Sequence, residues 1–230
     1  MLMPRIAVVG PVTRDIVVTS EGEETKVGGT AFYTADALHK LGIDVISFAK
    51  LSRRDSGILD NFSFKNKPLW SRKTTVFKNI YGKNKDYRKQ FVYSISDPFS
   101  IEDVSVIKNY DIVHVGPLMP TDFPIDVIEK IKENNTVVSL DVQGFVRKLK
   151  SSTVVKNEWK GGRKLLKFVD ILKCDIDESQ MIVKNKTLKR TAQAIAALGP
   201  KDVIITKGSK GSHIYSNNKL LKINAPKTKT

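Results

Sequence analysis

Val27-Gly28-Gly29-Thr30-Ala31-Phe32-Tyr33-Thr34 joins a glycine pair to a run of small residues, a combination suited to binding a polar small molecule. Two adjacent glycines let backbone N–H groups approach a ligand with no Cβ in the way. A helix that opens there aims its positive end at the same place. Ala31, Ala35, Leu38 and Leu41 fall on one stripe of that helix, and Gly42 ends it. The same spacing also fits an ordinary loop–helix junction. A second set of candidate residues follows short apolar runs: Gly10, Gly116, Asp141, Asp175 and Thr206-Lys207-Gly208. If those runs are strands of one parallel sheet, the set marks the rim where such sheets bind ligands. Turn-making accounts for glycine and Asp at such places as well.

The elements that must position these residues are legible from the apolar pattern. Ile6 to Val9, Val45 to Ala49, Asp111 to Val115, Thr136 to Leu140, Val169 to Leu172 and Val203 to Thr206 are short and rich in β-branched residues. Nearly continuous hydrophobicity over four or five residues predicts strands buried on both faces, hence a parallel sheet. Helical patterns such as Phe123 to Glu133 and Leu188 to Leu198 lie between them. The alternation predicts an α/β fold: a doubly wound, mostly parallel central sheet flanked by helices.

Residues 71–95 have another texture. Thr74 to Tyr81 and Arg88 to Tyr93 alternate polar and apolar around a turn at Gly82-Lys83-Asn84-Lys85, which predicts an antiparallel hairpin. With the strand-like Ile16-Val17-Val18 and Thr25-Lys26-Val27 it would build a small sheet outside the main one. That sheet would offer a dimerisation surface.

At 230 residues and 40% hydrophobic, the chain can bury one substantial core. Its single cysteine, Cys174, excludes an internal disulfide. The apolar run after Arg5 is too short for a signal peptide, and no stretch is long enough for a membrane span, so a cytoplasmic protein without membrane contact is expected. The net charge of +15 lies wholly after residue 60, because residues 1–60 hold seven basic and eight acidic side chains. Such a field draws in nucleotides and acidic substrates. It also suits nucleic acid, but Arg147 to Lys167 and Lys184 to Arg190 contain little of the aromatic interleaving that stacks bases. There is no Gly-x4-Gly-Lys-Ser/Thr, no Gly-x-Gly-x-x-Gly after the first strand and no Gly-x-Ser-x-Gly. His39, His114 and His213 are scattered, with no ligand spacing for a metal.

In order along the chain, these residues resemble the ribokinase-like carbohydrate kinases, also called the phosphofructokinase-B family. Val9-Gly10 through Asp15 resembles the family's first strand and its substrate-binding Asp, and Gly28-Gly29 to Gly42 its N-terminal glycine signature. Asp55-Ser56-Gly57 resembles the turn after the second core strand. Asp141-Val142-Gln143-Gly144-Phe145-Val146-Arg147 is similar to the Asp-Pro-Gln-Gly-Phe-x-Arg variant, and Asp175-Ile176-Asp177-Glu178 to Asn-x-x-Glu. Thr206-Lys207-Gly208-Ser209-Lys210-Gly211 resembles the Thr-x-Gly-x-x-Gly nucleotide loop. Tyr33 stands where Asn is frequent, and Asp175 where Asn is usual.

The resemblance implies an ATP-dependent, magnesium-requiring kinase acting on a hydroxyl of a small sugar, cyclitol or nucleoside. It implies substrate contacts from Asp15, Gly28, Gly29 and Tyr33, and nucleotide contacts from Asp175, Thr206, Gly208 and Gly211. Glu178 would hold Mg2+ through water, and Arg147 would support the site electrostatically. The chain would be a single domain over 1–230 with lid strands within 14–27 and 71–95, pairing with a second copy through the lid. The family's Gly-Ala-Gly-Asp element has no counterpart here, since no Gly-x-Gly-Asp occurs. Its catalytic Asp would lie beyond Thr230, so the catalytic residue is unknown and little activity is expected from these 230 residues alone. The alternatives are an inactive kinase-fold protein that binds nucleotide or polyol and, more distantly, a basic nucleic-acid-binding protein.

Overall fold

The computed structural model describes residues 3–82 and 88–226, so the expected turn residues Lys83, Asn84 and Lys85 lie outside the described part. Among the described residues, nine strands form the core sheet: β1 (Ile6–Pro11), β4 (Val45–Ser52), β5 (Lys65–Ser71), β8 (Ile112–Val115), β9 (Val137–Asp141), β12 (Ile171–Asp175), β13 (Asp202–Thr206), β14 (Ser212–Ser216) and β15 (Lys219–Ile223). Their order is β15-β14-β13-β12-β9-β8-β1-β4-β5. Neighbours pair in parallel except at β13–β14 and β14–β15. The α/β class and the six expected strands are therefore present. The expected Val169 start is shifted, because Val169 closes a turn onto Leu166 and β12 begins at Ile171.

A second sheet holds β2 (Thr13–Thr19), β3 (Gly22–Gly28), β6 (Thr75–Tyr81), β7 (Arg88–Ser94), β10 (Arg147–Lys150) and β11 (Thr153–Lys156), in the order β10-β11-β7-β6-β2-β3. The strands expected in 14–27 and 71–95 are four of its six, β7, β6, β2 and β3. The β10–β11 hairpin is an addition that the sequence reading did not foresee. It turns at Ser151 (φ 57°) and joins β7 by pairing Thr153 with Phe91.

Side-chain alternation in the central strands sorts the core. Ala7 and Val9 join Val113, Val115, Val138, Leu140 and Leu172 in a large cluster. Helices α2 (Ile101–Ser105), α3 (Ile125–Lys132), α4 (Gly162–Leu165), α5 (Ile176–Ile182) and α6 (Leu188–Ala196) supply its other side. Ile6 and Val8 face the opposite way, toward Ala35 of α1 (Thr30–Lys40). β1 is buried along its whole length, as expected, but β8, β9, β12 and β13 alternate between buried and half-buried residues. The half-buried positions include His114, Ser139, Asp141 and Lys173, so one face of these strands is polar. His114 bonds Ser139 across the sheet there, Nδ1 to Oγ at 3.0 Å.

The α1 stripe is corrected at one residue. Ala31 and Ala35 are buried, but Leu41 is 75% exposed. The helix ends at Lys40, and the Leu41 N–H folds back onto the Ala37 and Leu38 carbonyls as the C-cap. No helix among the described residues is long and apolar enough to cross a membrane.

Candidate active site

The second sheet faces a cavity of about 310 Å³ at the carboxyl ends of the core strands. On one wall, β2 presents Thr13 and Asp15 inward, while Arg14 between them is exposed. Thr13 Oγ1 and Asp15 Oδ1 are buried with no hydrogen-bond partner among the described residues. A buried acceptor without a partner is costly, so two beside one cavity mark a place for ligand hydroxyls. Burial raises the Asp15 pKa above the ordinary carboxylate value, against the pull of the Arg88 and Arg147 charges.

The glycine pair brings this wall to the start of α1. A Cβ at Gly28 would stand 2.7 Å from Asp15 Oδ2. Gly29 has φ 91°, and a Cβ there would meet the Pro11 carbonyl oxygen at 2.3 Å. Its carbonyl accepts the Tyr33 N–H at 3.0 Å and so opens the helix. We expect Gly29→Ala to lower unfolding free energy by about 2–4 kcal/mol, through left-handed strain and the clash with β1. Urea denaturation of both forms checks this; a loss under about 0.5 kcal/mol is the contrary result. Tyr33 is 56% exposed at the cavity rim, where its hydroxyl donates to Val27 O at 3.2 Å.

Two further residues beside Asp15 were not read from the sequence. Asn79 is buried on β6, the strand next to β2, and its Oδ1 accepts the Gln90 Nε2–H at 2.8 Å, while Gln90 itself lines the cavity. The available signal was a polar residue in register with Phe77 on the covered face of an alternating strand.

Cationic side chains line the rest of the cavity. Arg88 from β7, Arg147 from β10 and Lys173 from β12 all line the cavity. Arg147 donates from Nη1 to Leu118 O at 3.0 Å and pairs with no carboxylate among the described residues. Burial and the neighbouring Arg88 charge push its pKa down to about 10. Lys173 pairs with Asp141 at 2.7 Å, and Asp141 also accepts the Gln143 N–H. An adjoining cavity of about 360 Å³ shares Arg88 and Arg147 and adds Lys156, Asp175 and Glu178.

Asp175 and Glu178 have a structural task at the head of α5. Asp175 Oδ1 accepts the Glu178 N–H at 2.6 Å, and Glu178 Oε2 accepts the Asp175 N–H at 2.7 Å, a capping box. Lys156 lies 3.5 Å from Asp175. Burial raises the Glu178 pKa. Among the described residues no three His, Cys, Asp or Glu side chains group as a metal cage. Two carboxylates beside a cationic cavity do fit a magnesium ion held mainly by water and phosphate.

Thr206, Gly208 and Gly211 stand apart, for none of them lines either cavity. Thr206 Oγ1 donates to Cys174 O at 3.3 Å. At Gly211 (φ 84°) a Cβ would meet Ile223 O at 2.0 Å, so packing against the end of β15 already requires glycine. Cys174 is buried, which pushes its thiol pKa up and keeps it inert.

This arrangement can hold a polyhydroxylated ligand against Asp15 and an anion against the arginines. Comparisons agree with it. A profile of the pfkB family carbohydrate kinases matches residues 92–230. A ribokinase of Arabidopsis thaliana is 30% identical over 121 residues, 50% of this chain and 29% of that protein, so the match spans less than a third of the relative. A solved pyrophosphate-dependent kinase in the ribokinase family, complexed with a pyrophosphate analog and myo-inositol, is 28% identical with a TM-score of 0.84. That likeness covers 95% of this chain and 78% of the other. The solved Arabidopsis thaliana ribokinase with ribose and ATP shares the fold, with a TM-score of 0.69 at 19% identity over 97% of this chain and 78% of that one.

Proposed function

This chain belongs to the pfkB family of carbohydrate kinases, and from that premise we propose that it transfers a phosphoryl group to a hydroxyl of a small cyclitol or sugar. The observation that carries the reading is one cavity lined by two unlike sets of groups. Oxygens of Thr13 and Asp15 that have no partner among the described residues share it with the cations Arg88, Arg147 and Lys173. Asp15 would accept hydrogen bonds from acceptor hydroxyls, and Gly28 and Gly29 would let the ring approach the start of α1. Tyr33 would flank that ring at the rim. The cations would hold the donor and spread the charge on the phosphoryl group in transfer. The lid sheet would keep water from the donor. Magnesium, held through water by Glu178 and Asp175, would offset phosphate charge. A cytoplasmic enzyme acting without nucleic acid, and pairing of two copies through the lid, complete the proposal.

Inorganic pyrophosphate is the donor that the cation cluster favours. Arg88, Arg147 and Lys156 converge on the adjoining cavity, at the scale of a short polyanion. The 28% identical neighbour, described as pyrophosphate-dependent and bound to myo-inositol, supports both halves of the reading. ATP is the second reading; the observation in its favour is open space at Gly208, where a Cβ meets nothing within 4 Å.

Because no Gly-x-Gly-Asp occurs in the sequence, uptake of the two substrates is a more direct test than turnover. Calorimetry with pyrophosphate and with ATP, each with magnesium, followed by myo-inositol and ribose, is expected to show binding of pyrophosphate and myo-inositol. Uptake of ATP but not pyrophosphate decides for the second reading. Uptake of neither donor overturns the kinase reading.

A further inference from the structure

The loop between β8 and α3 carries a buried carboxylate with no part in the reading so far. Asp122 is 2% exposed. Its Oδ2 accepts the N–H of Leu118 at 2.8 Å and of Met119 at 2.9 Å, while Oδ1 is buried without a partner among the described residues. Its own backbone is pinned, the N–H to Met119 O at 3.1 Å and the carbonyl by Phe99 N–H at 2.7 Å. Burial pushes the Asp122 pKa up to about 6, against the two N–H donors and the charges of Arg147 and Lys50. Lys50 is itself paired with Asp103. A turn can be closed without a buried carboxylate, so its charge at neutral pH asks for a reason.

The reason lies in one peptide plane. The Leu118–Met119 peptide gives its N–H to Asp122 and its carbonyl oxygen to Arg147 Nη1, at 3.0 Å. Peptide planarity makes the two ends turn together. A carboxylate on the N–H and a guanidinium on the carbonyl polarise the unit in the same sense, which strengthens both bonds. The Leu118 side chain anchors the plane from the other side, packing with Phe77, Val92 and Val154 of the lid sheet.

We infer that Asp122 is a positioning residue for the phosphate donor: through the Leu118–Met119 peptide it fixes the Arg147 guanidinium at the junction of the two cavities. The role rests on the pyrophosphate reading above. The test is calorimetry with inorganic pyrophosphate plus magnesium, and separately with myo-inositol. Asp122→Ala is expected to weaken pyrophosphate binding about tenfold and myo-inositol binding less than about twofold. Asp122→Asn keeps an acceptor for the Met119 N–H and is expected to restore most of the loss. Its remaining deficit, about threefold at pH 7.5, should vanish at pH 5, where unaltered Asp122 carries a proton. Taking the ratio of the two chains removes the protonation of pyrophosphate itself.

A pH-independent ratio overturns the role, as does an Asp122→Ala chain that binds pyrophosphate normally or loses both ligands equally. If Asp122→Ala does not fold, the ratio for Asp122→Asn decides alone. Normal pyrophosphate binding in both Asp122 variants, with loss in Arg147→Met, sinks the role of Asp122 and leaves the donor reading standing. No pyrophosphate uptake by the unaltered chain removes both.

Discussion

Asp15→Ala is expected to weaken myo-inositol binding at least tenfold while changing pyrophosphate binding less than about twofold. Each hydroxyl bonded to an ionised carboxylate contributes about 1.5–3 kcal/mol, and one such bond accounts for a tenfold loss. Oδ1 has no protein partner to lose, so truncation strands nothing on that side. The sign of the pH effect follows from burial, which raises the Asp15 pKa. The ionised form is the acceptor, so myo-inositol affinity should fall as the solution is acidified, starting at a higher pH than for an ordinary carboxylate.

Stability should move the other way. A folded-state pKa above the unfolded value means that ionisation works against folding, an effect absent at low pH and complete once the pH exceeds the folded pKa. Removing Asp15 should therefore leave the melting temperature at pH 7.5 unchanged or higher. Calorimetric titration and a thermal melt of the same variant read both effects. A lower melting temperature with unaltered inositol affinity would make Asp15 a structural residue of β2 and remove it from the acceptor site.

The second large effect is expected at Arg147. Arg147→Met should weaken pyrophosphate binding about a hundredfold, the equivalent of two charge-assisted bonds from one planar guanidinium. Arg147→Lys should recover only part of this, because an ammonium cannot donate to Leu118 O and to phosphate in the same fixed fork. Unaltered affinity should fall as salt is raised, and more gently in Arg147→Met. Arg147 pairs with no carboxylate among the described residues, and burial together with the nearby Arg88 charge lowers its pKa. Two like charges close together at one cavity destabilise the fold, and an anion between them relieves that. Arg147→Met should accordingly fold at least as well as the unaltered chain. A variant that melts earlier yet binds pyrophosphate normally would show that Arg147 only braces the 116–122 loop.

Much of this was legible in the order of residues, for reasons that are local. The apolar runs predicted the six strands because a buried strand leaves its composition in four or five consecutive positions. The hairpin of β6 and β7 was visible because alternation has a period of two. Gly28-Gly29 announced a close approach, and the structure shows which one: the Pro11 carbonyl and the Asp15 carboxylate. Asp175 and Glu178 stand out in the sequence through the resemblance to Asn-x-x-Glu, and in the structure that spacing forms a capping box. Thr206 to Gly211 was read as a nucleotide loop, yet at Gly211 the glycine is required by Ile223 O, a contact that no local pattern announces.

What the amino-acid order determined by itself is the rhythm of strands and helices, the pairing of β6 with β7 and the glycine start of α1, since each depends on neighbours a few residues apart. Only the tertiary structure decided the cavity. Asp15, Asn79 and Gln90 meet because β2, β6 and β7 are adjacent in one sheet. Arg147 and Lys173 come to one cavity because β10 extends the second sheet while β12 runs in the core sheet. Asp122 reaches Arg147 through the Leu118–Met119 peptide, across a separation of 29 residues from Leu118 to Arg147. Electrostatic interaction falls off with distance in space and is indifferent to distance along the chain, so a lone Arg147 in the sequence carries no mark of the charges that the fold sets around it.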